Sequence, residues 1–208
     1  MRAVLLGLLV APSAFAEPVI TPTLSEQDVK KLNAGEILIR EFTPTGGKGV
    51  GSLSIGVVEA TSDEVNAIIS NCTLFWQFMP RVKKSWVKED PSAGTICHVE
   101  LTMPFPLPDL WSDSTHDIRE EPKGSHYRGC KMVRGSYHRN DGSWTIVPWG
   151  DGSKCVVVYS VDSDPKMAVP DALIRIGQVT SLPEVITRIR QRVVTLRAAA
   201  TTAAAPSK

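Results

Sequence analysis

Apolar and polar positions along this chain follow two periods, and the change from one to the other marks its elements. Over 52–58 every second residue is apolar, with Leu53, Ile55 and Val57 on one side, the period of a strand with one buried face. Directly after it, Thr61-Ser62-Asp63-Glu64 has the form of a capping box, and its acidic residues suit the positive end of a helix. Val65, Ile68, Ile69 and Cys72 then recur at helical spacing. Upstream, Ser25 with Asp28 three residues on opens a short helix that Gly35 ends, and 36–42 alternates weakly as a strand. A glycine-rich connection over 45–51 follows that strand. A second short helix over 73–78 stops at Pro80.

Strand patterns dominate the middle of the chain. Residues 82–88 and 95–103 flank a turn at Asp90-Pro91-Ser92-Ala93-Gly94. The second run places Cys97, Val99, Leu101 and Met103 on one face and His98 and Glu100 on the other. Pro104, Pro106 and Pro108 forbid regular pairing and make a stiff loop. Residues 114–120 and 125–133 are joined by Glu121-Pro122-Lys123-Gly124, a hairpin signal. Asn140-Asp141-Gly142 reads as a turn, and 143–149 and 154–162 flank a second hairpin at Gly150-Asp151-Gly152-Ser153.

The end is helical. Pro170 opens a short segment with Leu173, Ile174 and Ile176. From Leu182 one stripe is clear: Leu182, Val185, Ile186, Ile189, Val193 and Leu196, with Arg188, Arg190, Arg192 and Arg197 on its flanks or far side. Residues 198–208 are rich in Ala and Thr without a pattern, and read as a frayed, disordered tail. Sequential hairpins favour one curved antiparallel sheet of six to seven strands, and a sheet with one apolar face needs a cover. The last helix has the length and the stripe for it. The fold class is therefore α+β, a sheet gripping a long C-terminal helix, with a space between the two.

Composition adds a compartment. Met1-Arg2, the short apolar run over 3–10, the break at Pro12-Ser13 and Ala14-Phe15-Ala16 form a signal peptide cleaved before Glu17. The division is then a signal peptide over 1–16, one domain over 17–197 and a tail over 198–208, and the location is periplasmic or secreted. Four cysteines, Cys72, Cys97, Cys130 and Cys155, allow two disulfides in any of three pairings in an oxidising compartment, and at least one bridge is expected. With 23 basic and 22 acidic residues the net charge is +1, too little for a global field that would gather nucleic acid. No run of 18 apolar residues is present to span a bilayer, which leaves transient membrane contact open.

Candidate chemistry is sparse. Gly46-Gly47-Lys48-Gly49 lacks the Ser/Thr and the following helix that a phosphate loop requires. His98-Val99-Glu100 lacks the Pro-Cys-x-x-Cys of a zinc deaminase, and the four histidines have no zinc-ligand spacing. No Gly-x-Ser-x-Gly elbow occurs. No catalytic residue, metal or cofactor is assigned. The aromatic residues Trp76, Phe78, Trp111, Trp144, Trp149 and Tyr159 flank loops and strand ends, where ring and polar tip together can orient a ligand.

In this order, the residues resemble the START-like helix-grip superfamily of polyketide cyclases and coenzyme Q-binding proteins. The likeness lies in Phe78-Met79-Pro80, Gly142-Ser143-Trp144 with Pro148, Tyr159, and Leu182-Pro183 at the closing helix, and spans 52–197. The resemblance implies a deep apolar cavity under the C-terminal helix, in a carrier of a lipid, sterol, quinone or polyketide-like molecule that needs no cofactor. The cavity candidates are Trp76, Phe78, Leu101, Met103, Trp111, Trp144, Tyr159, Ile186 and Ile189, with Trp111 as a lid. Two other readings stay open. A cyclase or aromatase would need an inward ionisable group, such as His98 with Glu100, or Arg128. A structural or interaction module would have a solid core and an exposed apolar patch.

Overall fold

The computed structural model describes residues 22–167 and 171–203. Its element order is α1 (Glu26–Asn33), β1 (Leu38–Phe42), β2 (Val50–Val58), α2 (Ser62–Ser70), α3 (Phe75–Phe78), β3 (Val82–Asp90), β4 (Gly94–Leu101), β5 (Leu110–Glu121), β6 (Ser125–Gly135), β7 (Tyr137–Trp149), β8 (Lys154–Pro165) and α4 (Asp171–Ala203). The strands form a single antiparallel sheet in the order β1-β2-β8-β7-β6-β5-β4-β3. It has eight strands where six to seven were expected, and α4 packs along its concave side as expected. The expected signal peptide over 1–16, its cleavage point and Pro170 fall outside the described residues.

Local chemistry sets the short helices. Ser25 and Thr61 cap α1 and α2 through reciprocal capping boxes with Asp28 and Glu64. Leu32 of α1 packs with Leu53, Ile55, Val57, Val156 and Val158, a small core on the convex side of the sheet. The main core lies on the concave side, where Val65, Ile68 and Ile69 of α2 meet Ile146, Val157, Ile186 and Ile189. Strand β2 is therefore buried on both faces.

Three differences from the sequence reading have physical causes. Asn140-Asp141-Gly142 is not a turn but lies inside β7. Its glycine answers a close approach, since a Cβ on Gly142 would sit 2.6 Å from the Ser160 carbonyl oxygen. Asp141 accepts a hydrogen bond from the Met132 amide just beyond Cys130↔Gly142, where the β6–β7 ladder ends. Second, the helical end is one helix, α4, with Pro183 inside it. Third, 198–203 continue that helix instead of fraying.

Arginines fasten α4. Arg190 donates to the carbonyls of Val57 and Gly35, and Arg197 to the Glu59 carbonyl and the Glu64 carboxylate. Hydrogen bonds from Arg197, then from the Thr61 amide, hold the Glu64 carboxyl down at about 2. A depressed carboxyl stabilises the fold above its unfolded pKa, near 4.5, and that contribution is lost as pH falls towards 2. Both groups are half exposed, so the effect is about 1 kcal/mol or less. Urea unfolding at pH 7 and pH 3 should show Glu64→Gln losing less stability on acidification than the parent chain; an equal loss would remove Glu64 from the acid response.

Candidate functional site

Between the concave face of the sheet and the N-terminal half of α4 lies a cavity of about 540 Å³. Alternation along β4 turns Cys97, Val99 and Leu101 into it. Leu182 and Val185 line it from α4, and Met79, Pro80 and Val82 from the turn between α3 and β3. Met103, Pro104 and Leu107 of the proline-rich loop, with Pro165 at the end of β8 and Met167 just beyond it, complete the apolar wall. At the turn, Arg81 adopts a left-handed conformation (φ 61°), rare for a residue with a Cβ, and its carbonyl accepts from the Thr102 amide. That bond ties the Phe78-Met79-Pro80 turn to the loop across the cavity rim.

The cavity floor is polar in one strip. Ser112, Ser114 and His116 point inward at every second position of β5, and His116 lies opposite Cys130 of β6, its Nδ1 3.7 Å from Cys130 Sγ. Asn140 of β7 donates to Ser112 Oγ. Trp144 and Tyr159 are register partners and stack with ring centroids 4.0 Å apart. Every shift resolved on this floor favours the uncharged form. Burial, and then the Arg128 charge, hold the His116 imidazole below its ordinary value. Burial pushes the Cys130 thiol up to about 12 and raises the Tyr137 and Tyr159 hydroxyls. Arg128 shares the inner face but is turned under α2, where it donates to Asn66 Oδ1.

Four of the nine cavity candidates line the space: Leu101, Met103, Trp144 and Tyr159. The other five do not. Phe78 is packed in the main core against Phe75, and Trp76 is 54% exposed. Ile186 and Ile189 belong to the solid end of the stripe, where Ile186 fills the notch left by Gly56. Trp111, the expected lid, lies on the outer face of the sheet. There His98 is stacked between Trp86 and Trp111, at centroid distances of 3.9 and 5.6 Å.

That outer placement also removes His98 and Glu100 as an inward acid–base pair. His98 is bound to Asp113, a fully buried carboxylate that also holds Lys88 and Arg134. Burial alone would raise the Asp113 carboxyl, but hydrogen bonds from Lys88 and His98 hold it below its usual range. The sequence reading missed Ser112, Ser114, His116, Cys130 and Asn140. The period-2 placement of the first three was available, had the strand been started at Leu110.

The cysteines resolve to one bridge, Cys72–Cys97, which ties the segment after α2 to β4. Cys130 and Cys155 are free.

Comparison with known proteins agrees with this geometry. The family described as polyketide cyclase / dehydrase and lipid transport matches residues 58–190. No curated protein matches the chain in sequence. A STAR-related lipid transfer protein from Xanthomonas axonopodis superposes with TM-score 0.64 at 19% identity, over 76% of this chain and 93% of that one. Human StAR-related lipid transfer protein 5 gives TM-score 0.66 at 11% identity, over 78% and 84%. A START superfamily protein from Mycobacterium smegmatis gives 0.57 at 14%, over 70% and 98%. At these identities the likeness is one of fold.

Proposed function

This chain belongs to the polyketide cyclase / dehydrase and lipid transport family, and from that premise we propose that it is an exported carrier of a neutral hydrophobic small molecule. The family and the START-like fold go with hydrophobic ligand binding in general. The observation that carries the finer reading is the cavity of about 540 Å³ under α4, a volume within the ordinary range for small-molecule sites. Removal of apolar ligand surface from water into these walls drives binding, at roughly 25 cal/mol per Å² less the ordering costs. The floor supports a ligand with an uncharged hydrogen-bonding group, of sterol, quinone or polyketide-like kind. Asn140, Ser114 and the His116 imidazole offer it donors and acceptors. An anionic head would meet an environment that already disfavours the charged forms of Cys130, Tyr137 and Tyr159. Export is supported by the signal-like run over 1–16 and by the Cys72–Cys97 bridge, since structural disulfides persist in oxidising compartments.

One observation favours a second reading, a cyclase or aromatase acting in the same cavity: His116 faces the enclosed space beside Cys130, where it could exchange a proton with a bound substrate. A single set of measurements separates the readings. Protein prepared without detergent is extracted with organic solvent and analysed by mass spectrometry, and its binding of the neutral dye Nile red is titrated. Saturable dye binding is expected, with Leu101→Trp weakening it about tenfold or more at unchanged melting temperature, because the larger ring occupies the void. Unaltered binding in that variant would end the cavity reading. On the carrier reading the extracted molecule is returned unchanged after incubation; on the cyclase reading it is converted. The exported form should begin near Glu17.

A further inference from the structure

The outer face of the sheet carries a second hollow, on the opposite side from the ligand cavity. Strand register builds it: Trp86 stands opposite His98, His98 opposite Asp113, and Glu100 opposite Trp111. The result is a cleft of about 410 Å³, a size within the range of small-molecule sites. At its base lies the fully buried Asp113 carboxylate, held by Lys88, Arg134 and the Nδ1 edge of His98. An ionised acceptor there keeps the proton of the neutral imidazole on Nδ1 and leaves Nε2 as a lone-pair acceptor. His98 is 7% exposed, and its Nε2 is buried with no hydrogen-bond partner. The Glu100 carboxylate, 3.6 Å from that atom, also lines the cleft and is an acceptor too, so the two cannot satisfy each other. A buried acceptor set beside another acceptor lacks donors, and a bound molecule can bring them.

We propose that this outer cleft binds a neutral sugar, through neighbouring hydroxyls on His98 Nε2 and Glu100 and an apolar ring face against Trp111. It is a second site, and it does not depend on what the cavity under α4 holds. Three observations select the chemistry. Two acceptors 3.6 Å apart call for two donors side by side, which the vicinal hydroxyls of a sugar ring carry. The charges of the cleft are already balanced: Glu100 pairs with Lys84, Asp109 with Lys83, and Asp113 with Lys88 and Arg134. Its carboxylates therefore repel an anion and its lysines a cation, while an uncharged polyol meets neither penalty. Last, Trp111 in the wall and Trp86 beside it each keep 38% of their surface in water, an aromatic face for the C–H side of a ring. Because the acceptors lie at the base of a hollow, small hydroxyls reach them where a flat protein surface does not.

The test uses the full chain, labelled with nitrogen-15, and follows the indole N–H signals by NMR. Cellobiose, maltose and N,N′-diacetylchitobiose are titrated separately, with choline and citrate as charged controls. At least one disaccharide is expected to shift the Trp86 and Trp111 indole signals saturably, with a Kd of about 1 mM, while choline and citrate leave them in place. Trp111→Ala should weaken that binding about tenfold or more, and Glu100→Gln, which keeps the shape of the side chain, severalfold. Nile red binding should be the same in both variants, because neither residue faces the cavity. The proposal is overturned if none of the three sugars gives a saturable shift at about 50 mM, fifty times the expected Kd. Equal affinity in the parent chain and Glu100→Gln, tighter binding of choline or citrate, or a sugar that displaces Nile red would overturn it as well. The last outcome would place the sugar in the cavity instead of on the outer face.

Discussion

Ile186→Ala should lower the unfolding free energy by about 3 to 4 kcal/mol, measured by urea or guanidinium denaturation monitored by tryptophan fluorescence. Ile186 is 0% exposed and its Cγ2 atom occupies the notch over Gly56; a Cβ there would stand 2.6 Å from it. Such a seat cannot collapse when the side chain is shortened, because β2 is held on one side by β1 and on the other by β8. The cost is then the lost transfer energy together with the cavity left behind. Val194→Ala, on the exposed side of the same helix, should cost only a few tenths of a kcal/mol and serves as the control for helix propensity. Nile red affinity should change little in Ile186→Ala, since Leu182 and Val185 are the stripe residues that line the ligand space. A loss under about 1 kcal/mol would mean that α4 is not seated on β2 in this way.

The same helix shows what was legible in the sequence and what was not. The apolar stripe from Leu182 to Leu196 is plain from spacing, and it faces the sheet as far as Val193, while Leu196 is exposed. Which part of the stripe roofs a void and which part plugs the sheet is set by sheet curvature, and curvature leaves no mark in a one-dimensional pattern. Ile186 and Ile189 were therefore assigned to a cavity that Leu182 and Val185 line. The tail had no periodicity to read because Ala and Thr can extend a helix that is already anchored, here by Arg190 and Arg197, without burying a stripe of their own.

Strand parity explains the rest. Leu101, Trp144 and Tyr159 are turned into the cavity because each sits in a run whose period is unbroken. Trp111 is not, because the proline loop resets the phase: β5 begins at Leu110, opposite Leu101, so Leu110 faces inward and Trp111 outward. One residue of phase moves every side chain to the other face, and it is the reason that a lid candidate became part of an outer stack with His98. Asn140-Asp141-Gly142 carries the composition of a turn, but its glycine serves a close contact with β8 and its aspartate satisfies an amide where the ladder opens. Composition cannot separate these uses of the same residues. The family resemblance did reach the fold, because the order of its motifs survives errors of phase.

Removing the Cys72–Cys97 bridge should cost about 3.5 kcal/mol, the loop-closure value for a separation of 25 residues. The bridge joins two buried positions that the sheet does not otherwise connect, since Cys72 follows α2 while Cys97 stands on β4, in the cavity wall. Cutting it frees the segment carrying α3 and the Phe78-Met79-Pro80 turn from the β4 wall, so the cavity rim loosens along with the fold. Denaturation with and without a phosphine reductant, and of Cys72→Ala/Cys97→Ala, should give the same loss, with Nile red binding weakened as well. Thiol titration of the unfolded, unreduced chain should find two free groups, Cys130 and Cys155. Four free groups, or a stability that reductant does not touch, would dispose of the bridge. It would also take away one of the two supports for export, since a chain that folds equally well with its cysteines reduced gives no reason to place it in an oxidising compartment.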